Sequence, residues 1–119
     1  VPVSRQRLKE RGFNQMQKIG KHLSKMTGIR LEDSVLVREK HTRAQRALSA
    51  AERKINMKGA FRIGIKGTER IKDKRVLLID DIYTTGATAL ECGAALKGAG
   101  AEKVYFLSLL TAPAGDKIR

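Results

Sequence analysis

Apolar residues recur at helical spacing early in the chain. Between residues 16 and 26 they follow one another at intervals of three and four, which predicts a helix capped by Asn14 and ending at Thr27-Gly28. This stripe is expected to pack as core against a sheet. Its members are Met16, Ile19, Leu23 and Met26.

Further along, short apolar segments bounded by polar or glycine-containing stretches are typical of strands. The predicted strands are Val1–Ser4, Ser34–Arg38, Ala60–Ile65, Arg75–Ile79 and Val104–Leu110. The run from 75 to 79 is the strongest signal, because continuous apolar residues are typical of a strand buried on both faces of a parallel sheet. Residues 67–74 are predicted to be a polar turn region.

A helix is predicted between the last two strands, from about Gly86 to Ala99. Strand, helix and strand at this spacing form a βαβ unit, whose strands are expected to be parallel with a right-handed crossover. The 119 residues are therefore predicted to form one α/β domain, with a mostly parallel twisted sheet and helices on both faces. Leu90, Ala94, Ala95 and Leu96 are expected to face the sheet, and Gly98 and Gly100 to end the helix.

Charge is distributed unevenly along the chain, whose formal net charge is +13. Residues 1–75 contain 21 Lys and Arg against 7 Asp and Glu, a net of +14. Residues 76–119 contain 4 against 5, a net of −1. An anionic partner is therefore expected to bind the first two thirds of the chain. Charge alone does not distinguish nucleic acid from a polyphosphate.

The segment Glu39–Lys58 is rich in basic residues and has few large apolar ones, so we interpret it as an excursion from the core. Ser49 and Glu52 form a capping-box pattern, which predicts a short helix near 49–54. Single-stranded DNA is a candidate partner of this segment. A solvated basic face is the alternative, because aromatic residues for base stacking are scarce nearby. The candidate nucleic-acid contacts are Arg43, Arg46, Arg53 and Lys54.

The single cysteine, Cys92, excludes an internal disulfide and a cysteine-based zinc cluster within the chain. It is expected to be a small buried apolar residue. No apolar run approaches the roughly 18 residues of a membrane span and no signal-peptide pattern opens the chain, so a cytoplasmic protein is expected. Because Val1 is not an initiator methionine, a segment upstream of it is also expected.

The candidate site is the segment 80–88, directly after the strongest strand. Ligands of open α/β sheets bind beyond the carboxyl ends of the strands. Threonine hydroxyls, a glycine that admits close backbone approach and the amino end of the next helix suit a phosphate monoester. Asp80 and Asp81 can accept hydrogen bonds from hydroxyls or help position a cation. The segment therefore suits a sugar phosphate with free hydroxyls.

Two other interpretations of this segment remain. Asp80 and Asp81 are also compatible with the acidic pocket of a phosphorylation-receiver domain, although such a domain carries its acidic pair on its first strand. Residues 80–88 are further compatible with a purely structural turn and helix cap, because Asp and Thr favour such positions.

The segment Val76–Thr88 (Val-Leu-Leu-Ile-Asp-Asp-Ile-Tyr-Thr-Thr-Gly-Ala-Thr) resembles the motif with which type I phosphoribosyltransferases bind phosphoribosyl pyrophosphate (PRPP). It matches that motif at every defining position. A second set of residues is similar to the ComF family of bacterial competence proteins, and the two resemblances together cover nearly the whole chain. This second set comprises Arg11–Gln15, Thr42–Gln45, Leu48, Arg53, Asn56 and Gly59–Phe61.

The resemblance implies that PRPP binds together with Mg²⁺. The acidic pair would bind the ribose hydroxyls and the following loop the 5′-phosphate, so the implied PRPP-binding residues are Asp80, Asp81, Tyr83, Thr84, Thr85, Gly86, Ala87 and Thr88. The loop after the first strand would contact pyrophosphate and Mg²⁺ through Ser4, Arg5, Arg11, Gly12 and Phe13. The basic excursion around 41–53 would close over the site.

The implied catalytic residues are Asp80, Asp81, Arg11 and Arg43. Pyrophosphate would leave C1 of the ribose through an oxocarbenium-like transition state. The two arginines and Mg²⁺ would neutralise the leaving group, and the carboxylates would stabilise the cationic ribose.

The chain departs from the family pattern in two respects. ComF proteins commonly carry a four-cysteine zinc module before the phosphoribosyltransferase domain, which this chain lacks, and no large hood for binding a base is visible. The acceptor is therefore not identified. Two functional classes remain open: a phosphoribosyltransferase acting on an unidentified acceptor, and a non-catalytic PRPP-binding module that handles DNA in natural transformation. The sequence does not predict the oligomeric state.

Overall fold

The computed structural model describes residues 1–2, 15–39, 58–83 and 85–111. In these ranges the helices and strands are α1 (Gln15–Thr27), β1 (Leu36–Arg38), β2 (Phe61–Ile63), α2 (Gly67–Ile71), β3 (Arg75–Tyr83), α3 (Ala87–Gly98) and β4 (Lys103–Thr111). None of the helices in these ranges combines the length and the apolar character needed to cross a membrane.

The second half of the chain contains the predicted βαβ unit. β3 and β4 pair in parallel, from Arg75 opposite Lys103 to Tyr83 opposite Thr111, and α3 connects them in sequence. β1 and β2 form a separate antiparallel pair within the described residues. The α/β class and the parallel pairing are thus confirmed.

The carboxyl end of α3 is closed by Gly100, as the sequence predicts. This glycine has φ of 103°, the left-handed conformation that glycine adopts without strain. Its N–H donates to the Lys97 carbonyl at 3.0 Å, and the Ala101 N–H donates to the Leu96 carbonyl at 3.1 Å. These two bonds satisfy the last carbonyls of the helix and turn the chain towards β4.

The core lies on the face of β3 that α3 covers. Leu78 is buried together with Leu96 and Cys92 of α3. Burial raises the pKa of the Cys92 thiol to about 12, so the thiol stays protonated and behaves as the small apolar side chain that the sequence predicts. The other buried members of the cluster are Val35, Ala60, Phe61, Ile71, Ala87 and Ala101.

The rotation of α3 about its axis differs from the sequence prediction. Leu90 is 61% exposed and Ala94 is also exposed, whereas Leu96 is 2% exposed. Each residue advances a helix by about 100°, so Cys92 and Leu96, four residues apart, share one face. Leu90 precedes Cys92 by two residues and is therefore turned from it by about 200°. The expectation that Leu90 and Ala94 face the sheet was therefore wrong.

α1 packs against the opposite face of β3, so helices lie on both faces of the sheet. A Cβ atom built on Gly20 would lie 3.6 Å from Cδ1 of Ile79 and 2.9 Å from Cδ1 of Leu31. Met16 is buried as predicted, but Met26 is 79% exposed, which corrects the expectation that the whole stripe is core. The buried residues of α1 are Met16 and Gly20, in its first two turns, and the last turn extends beyond this packed part.

The end of β3 and the structure of residues 67–71 also differ from the sequence prediction, and β1, β2 and β4 differ from their predicted bounds by one or two residues. β3 continues to Tyr83 instead of ending at Ile79, because pairing with β4 persists beyond the apolar run. Residues 67–71, predicted as turn, form α2, a helix too short for periodicity to reveal. The first residue of this helix can lie close to β2 because it is a glycine: a Cβ atom on Gly67 would lie 2.7 Å from Cγ2 of Ile63.

Three local predictions concern residues outside the described ranges. They are the helix cap at Asn14, the loop Ser4–Phe13 and the short helix near Ser49–Lys54. The described residue closest in sequence to that loop is Pro2, which follows Val1. The Val1 nitrogen donates a hydrogen bond to the Ile79 carbonyl at 2.9 Å, so Val1 lies beside β3.

Candidate functional site

The two aspartates lie in the last part of β3. Asp80 stands opposite Ser108 of β4 and is half-buried, whereas Asp81 is exposed. The Ile82 N–H donates to Oδ1 of Asp81 at 2.8 Å. The carboxyl end of the strand therefore carries one shielded and one solvated carboxyl group.

The shielded position changes the acidity of Asp80. Burial raises the pKa of Asp80 to about 6 from its ordinary value of 3.8, because desolvation disfavours the carboxylate form. The neighbouring negative charge of Asp81 acts in the same direction, and a backbone hydrogen bond at Asp81 acts against it. Close to neutral pH, Asp80 can therefore both accept a hydrogen bond and exchange a proton.

This raised pKa predicts a pH-dependent stability that Asp80→Asn removes. The folded chain holds the proton more tightly than the unfolded chain, so the group contributes stability that is complete below about pH 4 and is lost as the pH rises through about 6. The contribution is at most ~3 kcal/mol, since one pKa unit corresponds to about 1.4 kcal/mol. Urea unfolding between about pH 4 and pH 7 should show the wild-type free energy of unfolding falling relative to that of the variant. Parallel profiles would contradict the assignment.

The loop after β3 turns into α3 at a glycine. Gly86 has φ of 86°, in the left-handed region, and precedes the first helical residue, Ala87. The Ala87 N–H donates to Oγ1 of Thr85 at 3.2 Å, and the Leu90 N–H donates to the Gly86 carbonyl at 2.8 Å. Other N–H groups of a first helical turn have no acceptor within their helix, and the helix dipole adds positive potential there. This arrangement suits a phosphate group.

The described residues on either side of the basic excursion are hydrogen-bonded to each other and to α3. The Glu39 N–H donates to the Ala60 carbonyl at 2.7 Å, so the last described residue before the excursion pairs with a residue just after it. The Gly59 N–H donates to Oε1 of Glu91 at 3.0 Å. Glu91 lies three residues after Thr88, so the described residue Gly59 contacts α3 about one helical turn after Thr88.

The structure brings together only part of the predicted site. The residues that it places at one end of β3 are Asp80, Asp81, Tyr83, Thr85, Gly86, Ala87 and Thr88. Those outside the described ranges are Ser4, Arg5, Arg11, Gly12, Phe13, Arg43, Arg46, Arg53, Lys54 and Thr84.

Sequence reasoning did not identify two residues that adjoin the loop. The Phe106 ring packs edge-on against the Tyr83 ring, with 5.8 Å between centroids and 60° between planes. Glu91 anchors Gly59 through the hydrogen bond described above. Neither carries a sequence signal of its own, because Phe106 is one apolar residue of a buried-type strand and Glu91 is one charged residue of a helix.

A comparison with known protein families identifies the fold family. A family model described as "Phosphoribosyl transferase domain" matches residues 11–118. The chain belongs to this phosphoribosyltransferase domain family. The match confirms the resemblance on which residues 76–88 were interpreted, and it excludes the receiver-domain alternative for this strand and loop.

Relatives of this phosphoribosyltransferase domain carry names from DNA uptake and use. Competence protein F of Haemophilus influenzae is 36% identical over 112 residues, covering 94% of this chain and 48% of that protein. DNA utilization protein YhgH of Escherichia coli K12 is 33% identical over 109 residues, covering 90% and 46%. Competence protein ComFC of Streptococcus pneumoniae is 36% identical over 110 residues, covering 92% and 46%.

These relatives confirm the resemblance to ComF competence proteins. The chain spans a little under half the length of each of the three, 46–48%. No solved structure matches the chain.

Proposed function

We propose that the chain binds PRPP at the carboxyl end of β3 and transfers its phosphoribosyl group to an acceptor in the presence of Mg²⁺. One observation carries the proposal. The nine residues 80–88 contain a carboxylate pair near the end of β3 and a loop that turns at a glycine into the first turn of α3. The family match to phosphoribosyl transferase domains supports the same assignment.

The two halves of this segment suit two parts of the ligand. Asp80 and Asp81 offer four carboxylate oxygens, which accept hydrogen bonds from adjacent ribose hydroxyls. Thr85 and Thr88 offer hydroxyls, and the first turn of α3 offers N–H groups to the 5′-phosphate. In this arrangement the ribose lies between the end of β3 and the start of α3.

The basic residues of the proposal act on the leaving group. Arg11 and Arg43 are assigned to the pyrophosphate by the family resemblance, which implies that the loop after the first strand contacts the pyrophosphate and that the basic excursion closes over the site. The hydrogen bond from Gly59 to Glu91 supports the assignment of Arg43, since the described residue that follows the excursion lies against the helix that begins at the candidate loop.

The acidic pair fits a Mg²⁺ ion that arrives with its ligand. Among residues 1–2, 15–39, 58–83 and 85–111, no three His, Cys, Asp or Glu side chains are grouped to hold a metal ion. Mg²⁺ is usually bound through one or two carboxylates together with substrate phosphates, and Asp80 and Asp81 are the carboxylates available here. When bound, the ion would neutralise charge on the pyrophosphate oxygens.

The proposed reaction exchanges two bonds at C1 of the ribose. The bond from C1 to the pyrophosphate oxygen breaks, its electron pair leaves with pyrophosphate, and the acceptor forms the new bond to C1 and loses a proton. The carboxylates of Asp80 and Asp81 stabilise the positive charge that develops on the ribose. Arg11 and Arg43 stabilise the negative charge of the departing group.

A second candidate function keeps the ligand site without turnover. In this alternative the chain binds PRPP and handles single-stranded DNA, with Arg43, Arg46, Arg53 and Lys54 as contacts. Two observations favour it: the net charge of +14 in residues 1–75, and relatives named as competence and DNA utilization proteins. A cytoplasmic location is part of both proposals and rests on the composition, which includes a single cysteine.

Calorimetric titration with PRPP tests the proposed function. We expect saturable binding that strengthens with Mg²⁺, because the ion would neutralise part of the pyrophosphate charge, and Asp80 and Asp81 are the carboxylates that would hold it. Ribose 5-phosphate is the matched control: it keeps the 5′-phosphate and the hydroxyls but lacks pyrophosphate, so its binding should not depend on Mg²⁺. Absence of PRPP binding with and without Mg²⁺ would refute the proposal.

Pyrophosphate release separates the two candidate functions once PRPP binding has been measured. Release that depends on an added acceptor identifies a transferase. Tight PRPP binding without release for any nucleobase, amine or nucleic-acid acceptor identifies the non-catalytic module.

A further inference from the structure

The phenol ring of Tyr83 lies across the loop that follows β3. A Cβ atom built on Gly86 would lie 2.6 Å from the Tyr83 hydroxyl oxygen and 3.1 Å from its Cζ atom. Contacts this short are not tolerated by real side chains, so the ring occupies the space that any residue other than glycine would need at position 86. Gly86 is thus required by its left-handed backbone conformation, and the Tyr83 ring lies against the side of it where a Cβ atom would be.

The space between residues 85–89 and the rings of Tyr83 and Phe106 is too small for a phosphate group. A cavity of about 10 Å³ lies between residues 85–89 of the loop and helix and the rings of Tyr83 and Phe106. A volume of roughly 10–15 Å³ accommodates about one water molecule. A phosphate group has four oxygen atoms around phosphorus, so it fits between these residues and the two rings only if one wall of the cavity moves.

Tyr83 is a wall that few described contacts hold in place. Ala87 is buried at the start of α3, and Phe106 packs against the core cluster. The Tyr83 side chain is 40% exposed, and within the described part of the chain its hydroxyl makes no hydrogen bond. Its described ring contact is the edge-on packing with Phe106, an interaction that a rotation of the side chain breaks without disturbing backbone pairing.

We propose that Tyr83 is a movable wall of the phosphate loop: its phenol covers the loop in the free chain and rotates towards solvent when the phosphate group of a sugar phosphate enters. Tyr83 is then a positioning residue, since it controls access to Thr85, Gly86 and Thr88. The inference rests on the proposed function, because it takes this loop as the phosphate site.

Tyrosine fluorescence can follow this movement directly. The chain contains two tyrosines and no tryptophan, so the variant Tyr105→Phe leaves Tyr83 as its single emitting residue. Tyr105 lies on β4, where it pairs with Leu77, and it is remote from the loop in sequence. In this variant, saturating PRPP with Mg²⁺ should raise the acrylamide quenching constant by about twofold, because the ring passes from 40% towards full exposure. The midpoint should equal the dissociation constant from calorimetry.

Side-chain truncation supplies a second, kinetic readout. If the Tyr83 ring covers the loop most of the time, only the uncovered fraction of molecules can bind PRPP, and association slows by that fraction. Tyr83→Ala removes the cover and should therefore accelerate PRPP association by about tenfold. Tyr83→Phe keeps the ring and should keep the slow association, and Tyr105→Ala is the matched control at the other tyrosine.

The outcomes distinguish this inference from the function on which it rests. If PRPP binds the Tyr105→Phe variant while quenching and the association rate of Tyr83→Ala stay unchanged, the movable wall is refuted and the proposed function stands. If neither the wild type nor Tyr83→Ala binds PRPP, the proposed function fails and the inference fails with it.

Discussion

Replacing both Asp80 and Asp81 with asparagine is expected to weaken PRPP binding at least 100-fold. The reason is that the carboxylates accept hydrogen bonds from the ribose hydroxyls and supply the negative charge for Mg²⁺, and a neutral amide does neither equally well. A hydrogen bond to a charged group contributes about 1.5–3 kcal/mol, so the loss of two of them amounts to roughly 3–6 kcal/mol. Since about 1.4 kcal/mol corresponds to tenfold, the change exceeds 100-fold.

The control for this variant removes the same two charges elsewhere. Glu69→Gln combined with Asp73→Asn alters two exposed residues just before β3, at the end of the strand opposite to the candidate site. Asp73 has φ of 60°, a conformation that asparagine tolerates, so the control is expected to fold normally. Calorimetry with Mg²⁺ and PRPP compares the three proteins. Equal affinity in the wild type and in the Asp80, Asp81 variant would refute the assignment of the acidic pair.

Folding of the Asp80, Asp81 variant can be monitored independently. Burial already disfavours the charged form of Asp80, as its pKa of about 6 indicates. An uncharged amide of the same shape at position 80 is therefore not expected to destabilise the fold. A loss of binding together with an unchanged unfolding transition would locate the effect in the site.

The candidate site was predictable because its signal is local and unusual. A continuous apolar run that ends in Asp80-Asp81, followed by a threonine- and glycine-rich loop, specifies the strand, the turn and the helix start within a few residues. The left-handed Gly86 and the start of α3 at Ala87 agree with that prediction. The approach of Tyr83 to Gly86 and of Phe106 to Tyr83 was not predictable, because it depends on how β3 and β4 bring their ends together.

The fold was predicted in its order of elements and less well in the orientation of its helices. In α1 and β3 the apolar pattern identified the element correctly, but Met26 and the end of β3 differ because contact with neighbouring elements decides both. In α3 apolar residues occur on several sides of the helix, so hydrophobicity alone does not specify which side is buried. Packing against Leu78 selects the side of Cys92 and Leu96.

The orientation of α3 predicts a second large effect: the same leucine-to-alanine exchange should change the free energy of unfolding very differently at positions 96 and 90. Leu96→Ala is expected to lower the free energy of unfolding by about 2–5 kcal/mol, because it removes a fully buried side chain and leaves a cavity. Leu90→Ala, on the same helix, is expected to change it by less than about 0.5 kcal/mol, since that leucine is 61% exposed. Both exchanges introduce the same residue into the same helix, so helix propensity cancels between them.

Urea unfolding followed by circular dichroism measures both variants against the wild type. A lower midpoint at an unchanged slope for Leu96→Ala reports lost stability without a change in the surface exposed on unfolding. Equal losses in the two variants would contradict this difference in burial, and a larger loss for Leu90→Ala would mean that α3 presents the side with Leu90 to the sheet. That result would also affect the site, because rotating α3 about its axis by half a turn would move the Thr88 hydroxyl away from the end of β3, whereas the N–H groups of the first turn point along the axis and would keep their direction.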